Sequence, residues 1–330
     1  MIDEDALDRA QDKAFDAWDA PSKAKRTALA REALAISPLC SDAYVILALE
    51  AGSDEEALNL YRQGVEAGEK ALGNTVFKED AGLFWGLIET RPYMRARQGL
   101  ADALLRLGHH NEAIEHYMDL LRLNPDDNQG VRYALMDTLL TTGRDSEAKT
   151  LFKQYREDES AAWLYARALL SFRQSGDSAA SRKWLSQATD ANPLVPGYLL
   201  GKKAMPKRLP DFYTPGDASE AIVYTESASS AWEATEMALA WLDTTAARPD
   251  SDVVAAPAPR DEAIDRAVLA LLYLGLHDGD RAWKSFDWSA LDRLHAQGLI
   301  SDPASRAKSV RFTEDGLELA RARFHELFGD

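Results

Sequence analysis

Leu100 to Pro125, LADALLRLGHHNEAIEHYMDLLRLNP, decides the fold of this chain. Leu100, Ala101, Leu104 and Leu107 recur at the spacing of one helix face, and Ala113, Ile114, Tyr117 and Leu121 repeat that stripe after a turn at Gly108. Asn124-Pro125 stops the second helix. Small Ala101 and Ala113 let the two helices approach, while Leu100, Leu104 and Tyr117 fill the space between them. The pattern returns: Leu135, Gly143, Ala148 and Phe152 follow Leu100, Gly108, Ala113 and Tyr117 at a constant interval of 35 residues. Gly176, Ala180 and Trp184 are read as the next set, and Asn192-Pro193 repeats Asn124-Pro125 after 68 residues. A hairpin of this kind keeps one apolar face uncovered and buries it only against the next hairpin.

These residues resemble the tetratricopeptide repeat (TPR) pattern. The resemblance implies a right-handed solenoid whose concave face is lined by the first helix of each pair. By register that face holds Arg95, Gln98, Asp102, Tyr133, Asp137 and Arg167, the candidate partner-binding residues. The clamp with which some TPRs hold a chaperone's C-terminal tail needs Lys and Asn where this chain has Gln98, Asp102, Gly130 and Ala134, which argues against that ligand. A mixed-charge groove around a tyrosine suits an extended or helical peptide with polar and basic groups.

Outward from the core stretch, Leu7, Ala10, Ala14 and Trp18 predict a helix over 3–19, capped by Asp3 or Asp5, and Pro21-Ser22 opens another over 22–36. Residues 42–72 predict a TPR-like pair through Tyr44, Leu47, Ala48, Ala57 and Tyr61. Residues 73–91 read as a connection whose Phe84-Trp85 packs in the core, and Pro92 suits the first turn of the next helix. Regularity ends at 193. Four prolines and a basic cluster, Lys202, Lys203, Lys207 and Arg208, occupy 194–216, and two helices over 217–228 and 230–243 close the solenoid. TTAARPDSDVVAAPAPR, 244–260, reads as a flexible linker. In 261–330 the expected order is a central helix from Ile264, a helix from 287 or 288 to Gln297, a hairpin of Leu299–Ser301 with Ser309–Phe312, and a last helix capped by Thr313. That order is winged-helix-like. The expected fold is thus all-α, a TPR-like helical-hairpin solenoid over 1–243 with a small winged-helix-like domain over 261–330.

With 46% hydrophobic and 28% charged residues the chain has the composition of a folded, soluble protein. A net charge of −16 repels nucleic acid and anionic lipid and favours a basic partner. The single Cys40 forms no intrachain disulfide, the acidic start MIDEDALDRA is unlike a secretion signal, and the apolar run 267–276 is too short for a membrane. A cytoplasmic location is expected.

Three segments, AYVILALE at 43–50, YRQGVEAGEKALG at 61–73 and NPLVPGYLLGKKAMPKRLPDFYTPGDASEAIVY at 192–224, resemble the suppressor-of-tumorigenicity-7 family and its bacterial relatives over residues 40–245. The resemblance implies an all-helical repeat protein; the family's eukaryotic members carry membrane segments, which have no counterpart here. AVLALLYLGLHDGDRAWKSFDWSALDRL at 267–294 and GLISDPASRAKSVRFTEDG at 298–316 are similar to a small bacterial domain of unknown function, which implies a bacterial source and a separate domain.

Nucleotide loops, HExxH, CxxC and GxSxG are missing from the sequence. His109, His110 and His116 read as polar residues of a hairpin tip, Asp126, Asn128 and Gly130 as an inter-repeat turn, and His277, Asp278 and Asp280 as a helix end. No catalytic residue, metal, cofactor or small-molecule substrate is therefore expected. Arg306, Lys308 and Arg311 stand where a wing touches a DNA backbone, yet 260–330 holds 10 Lys and Arg against 13 Asp and Glu. The expected function is a non-enzymatic adaptor holding a protein or peptide segment in the concave groove. The alternative is a partner-sensing transcriptional regulator whose C-terminal domain binds DNA through those three cations.

Overall fold

The computed structural model describes residues 3–210, 212–246, 261–284, 286, 288–303 and 307–329. They fall into two compact units, Met1–Arg248 and Pro249–Asp330. Among the described residues of the first, all regular structure is helical. It begins with α1 (Glu4–Trp18) and α2 (Lys23–Ile36), packed on one another through Ala10, Ala14, Ala30 and Ala33, all fully buried. Asp3 and Ser22 cap them by accepting from the N–H groups of Ala6 and Lys25.

Four more helix pairs follow: α3 (Ser41–Leu49) with α4 (Asp54–Glu79), α5 (Arg91–Arg106) with α6 (His110–Leu123), α7 (Val131–Thr141) with α8 (Asp145–Gln154), and α9 (Ala161–Ser175) with α10 (Ala179–Ala191). Each pair packs on the next through α2 on α3, α4 on α5, α6 on α7 and α7 on α9, so the leftover apolar faces cover each other. The α4–α5 contact is close. A Cβ on Gly99 would come within 2.1 Å of the Tyr61 ring, and one on Gly68 within 2.9 Å of Tyr93.

The repeat residues Leu100, Ala101, Leu104, Ala113, Tyr117, Leu135, Ala148 and Phe152 are all buried. In α10 the register differs from the sequence reading by one: Ala180 is exposed and Trp184 half-buried, while Ser181 and Leu185 are buried. Ser181 reaches the core because its hydroxyl donates to the Gly176 carbonyl at 2.7 Å and completes a capping box with Ser178. The 73–91 stretch begins as helix: α4 runs on to Glu79 through a kink at Gly73. Phe84 then enters the core beside Phe77 and Tyr93, its N–H bonded to the Leu123 carbonyl.

After Asn192 the chain forms a short helix, α11 (Val195–Leu199), and two longer ones, α12 (Ala218–Glu233) and α13 (Ala238–Ala246). The expected helix break near 229 lies instead at Ala234–Met237, where Met237 takes φ 64°. α13 absorbs 244–246, and the rest of the expected linker, 247–260, lies outside the described residues. α12 packs against α7 and α9. Its Tyr224 and Trp232 are buried and joined by a 2.9 Å hydrogen bond from the indole to the phenol oxygen.

The second unit contains α14 (Asp261–Leu274), β1 (Leu276–His277), β2 (Arg281–Trp283), α15 (Trp288–Ala296), β3 (Ser309–Arg311) and α16 (Glu314–Phe328). Its core joins Leu269, Leu272, Ala282, Leu291, Leu294, Val310 and Ala320. HDGD is not a helix end but the turn of the β1–β2 hairpin. Asp278 (φ 51°) and Gly279 (φ 84°) both take the left-handed conformation that tight hairpin turns demand. β3 pairs antiparallel with β2, Ala282 opposite Val310, to complete the sheet. The expected pairing of 299–301 with 309–312 is present as one bridge, Ile300 with Phe312, flanked by hydrogen bonds from the Ser301 N–H to the Arg311 carbonyl at 2.7 Å and from the Thr313 N–H to the Leu299 carbonyl at 3.0 Å.

Candidate functional site

The six residues assigned to one groove are separated by the structure into different environments. Arg95, on α5, is bound by its Nε and Nη2 to the two oxygens of Asp42 at 2.8 and 2.5 Å. Asp42 is fully buried and also accepts from Gln11 at 2.7 Å, so Arg95 neutralises a carboxylate inside the α1–α3–α5 contact. Gln98 accepts from Gln129 at 2.7 Å, and Gln129 also donates to the Met94 carbonyl, tying α5 to the α6–α7 turn. Asp102 accepts from the Tyr117 phenol at 2.6 Å, and burial raises its pKa. All three side chains are half-buried and hydrogen-bonded inside the first unit: Arg95 between helix pairs, Gln98 to the following turn and Asp102 within the α5–α6 pair.

Arg95 nevertheless borders a cavity of about 350 Å³ between α1 and α5. Leu7, Phe15, Leu39, Leu72 and Ile88 supply its apolar lining, with Asp8, Glu89 and Arg91 among the charged residues. Phe15 and Ile88 are 47% and 69% exposed.

Tyr133 and Asp137, one helical turn apart on α7, do come together, but beneath α12. They share a cavity of about 130 Å³ with Trp163, Tyr213, Glu220 and Tyr224. α12 packs over this face of α7. Tyr133 stands edge-on to Trp163 at 5.9 Å, and its phenol bonds Asp158 at 2.8 Å. Arg132 stacks on the Tyr133 ring and pairs with both Asp127 and Asp158. Burial pushes the Asp137 carboxyl up to about 7, against a hydrogen bond with Ser227 that favours its charged form. Arg167 lies elsewhere, over the Trp184 ring at 4.4 Å, beside a third cavity of about 440 Å³ that Arg156, Asp158 and Asp190 help to line.

The turn before α7 is a helix cap. Asp127 accepts from the N–H groups of Val131 at 2.8 Å and Arg132 at 3.1 Å. His109 precedes α6 and His110 begins it, and among the described residues no group of three His, Cys, Asp or Glu is placed to hold a metal ion. Of the proposed DNA contacts, Arg306 lies outside the described residues. Lys308 is exposed, and Arg311 reaches Asp280 at 3.4 Å. Arg293, on α15, binds both oxygens of Asp265 at 2.7–3.0 Å. The sequence reading places a helix from 217 that closes the solenoid, but not that its Tyr224 packs over Tyr133 and Asp137; the run Glu220, Val223, Tyr224, Ser227 on one helix face was the available signal.

No helix among the described residues is long and apolar enough to cross a membrane. Residues 260–330 match a family described as Domain of unknown function (DUF6429). The same part is 50% identical over 68 residues to Uncharacterized protein y4hR of Sinorhizobium fredii (strain NBRC 101917 / NGR234), covering 21% of this chain and 92% of that protein. Protein ST7 homolog of Caenorhabditis elegans is 29% identical over 270 residues, 68% of this chain and 48% of that protein. Suppressor of tumorigenicity 7 protein-like of Bos taurus is 28% identical over 255 residues, 69% of this chain and 45% of that protein. The chain spans about half the length of these ST7 relatives. Since the model of the family described as ST7 protein matches residues 1–261, most of its length, the chain belongs to the ST7 family.

Proposed function

We propose that the first unit is a TPR-like solenoid acting as a non-enzymatic interaction adaptor, and that its partner segment seats in the cleft between α1 and α5. The cleft carries the reading: apolar Phe15 and Ile88 stand exposed beside about 350 Å³ of lined space, next to residues of both charges. Such a surface loses water-exposed apolar area when a partner side chain enters, and the neighbouring charges set its orientation. The protein's net charge of −16 favours a segment with basic residues flanking that apolar anchor. Selection from a displayed random-peptide library on the whole chain tests this. Wild type is expected to enrich peptides with an apolar anchor and flanking Lys or Arg, and Phe15→Ser with Ile88→Asp is expected to abolish the enrichment. Equal enrichment on both proteins, or none on wild type, would sink the proposal.

The regulator reading has no supporting observation of the same weight. Arg293 and Arg311 are both committed to carboxylates within the second unit. The winged-helix-like comparison for that unit rests on its order of elements alone.

A further inference from the structure

The cavity under α12 combines features that neither the adaptor reading nor the cleft between α1 and α5 uses. Four aromatic side chains border it: Tyr133 from α7, Trp163 from α9, Tyr224 from α12 and Tyr213 from the segment before α12. Two carboxylates, Asp137 and Glu220, border it as well, and neither Lys nor Arg is among its lining residues. Glu220 is already held, accepting from Asn192 at 2.9 Å and from the Gly216 N–H at 2.7 Å. Asp137 differs. Among the described residues no Lys or Arg forms an ion pair with it, although it sits where charge is costly to keep.

A ring face attracts cations, most strongly once water is excluded. Carboxylates add net attraction and repel anions. A bare metal ion is a poor fit: calcium takes roughly 6–8 oxygen ligands, whereas this wall is mainly aromatic carbon. A volume of about 130 Å³ is also below the roughly 300–1,000 Å³ of sites that engulf a drug-sized molecule. The space suits one head group, with the remainder of the ligand outside.

We propose that this cavity binds a methylated ammonium head group, held by the Trp163, Tyr213 and Tyr224 rings and balanced by Asp137, while Tyr133 already carries the Arg132 guanidinium. The head group has two sources of one chemistry, a methylated lysine side chain of a protein or a free quaternary ammonium compound. Tyr213, 53% exposed, is the lining aromatic with the most contact with solvent.

Calorimetric titration of the whole chain decides the matter, using choline, its neutral isostere 3,3-dimethylbutan-1-ol, and a short peptide carrying trimethyllysine or unmodified lysine. Choline, the trimethyllysine peptide or both are expected to saturate the protein. Binding by both assigns the site to the head group itself, and binding by the peptide alone assigns it to a modified side chain. The isostere should bind at least tenfold more weakly than choline, and unmodified lysine more weakly than trimethyllysine. Asp137→Asn should weaken the methylated ligands at least tenfold. Tyr213→Ala, which removes a partly exposed ring and spares the core, should weaken them severalfold and decides the question should Asp137→Asn fail to fold. Saturation by neither methylated ligand, equal affinity for the isostere, or a folded Tyr213→Ala protein with wild-type affinity would each overturn the proposal.

Discussion

Gly99 shows how far one missing side chain sets the architecture. The Tyr61 ring occupies the place where its Cβ would stand, so α4 and α5 meet at a distance only glycine allows. Gly99→Ala is expected to cost about 1–3 kcal/mol, the usual penalty for overpacking, read as a lowered urea midpoint; Tyr61→Ala in the same chain should recover part of that loss by vacating the space. Asp137 makes the opposite point, that a side chain can be retained against stability. Its folded pKa, about 7, lies above the ordinary aspartate value of 3.8. The native state therefore holds its proton where the unfolded chain releases it. Stability from this group is complete below the unfolded pKa and is lost as pH rises through about 7. Urea midpoints at pH 5 and pH 8 should fall more for wild type than for Asp137→Asn, and an equal fall in both would remove Asp137 as the cause.

α12 is held by a buried apolar face that includes Tyr224 and Trp232 and, at its amino-terminal end, by a few polar groups. Asn192, fully buried, donates to the Asp217 carbonyl and to Glu220, while its own carbonyl accepts from Tyr165. Asn192→Leu should cost about 1–3 kcal/mol by leaving buried acceptors unmatched. Hydrogen exchange should locate the loss in residues 218–233, ahead of α5 and α6. The helix pairs themselves were legible in the sequence because small and large apolar residues recur there with a fixed interval. Leu100, Ala113, Leu135 and Ala148 all reach the core as that pattern requires. The one-residue displacement in α10 was not legible, since Ser181 is buried through a hydrogen bond to a carbonyl and carries no apolar signal. The groove was legible only in part. Periodicity gives which side of a helix faces away from its partner, but not that α12, some 80 residues further on, returns to cover Asp137. Likewise Asp278-Gly279 carried a hairpin signal that the apolar run of α14 obscured.

The two units have separate cores, and the second is matched over nearly all of a protein that stands as its own chain, y4hR. Residues 260–330 expressed alone are therefore expected to unfold in one cooperative thermal transition. A broad, non-cooperative melt would mean that their core depends on the rest of the chain. Within the first unit, Cys40 offers a different kind of access to the molecule. It is the only cysteine, has no exposed surface, lies between α2 and α3, and burial pushes its thiol up to about 11. A disulfide reagent meets almost no thiolate there while the first helices stay closed. The rate at which the reagent consumes this sulfur thus counts openings of the amino-terminal end, and gives their free energy without a label being introduced. Occupation of the neighbouring cleft by a partner should slow that clock.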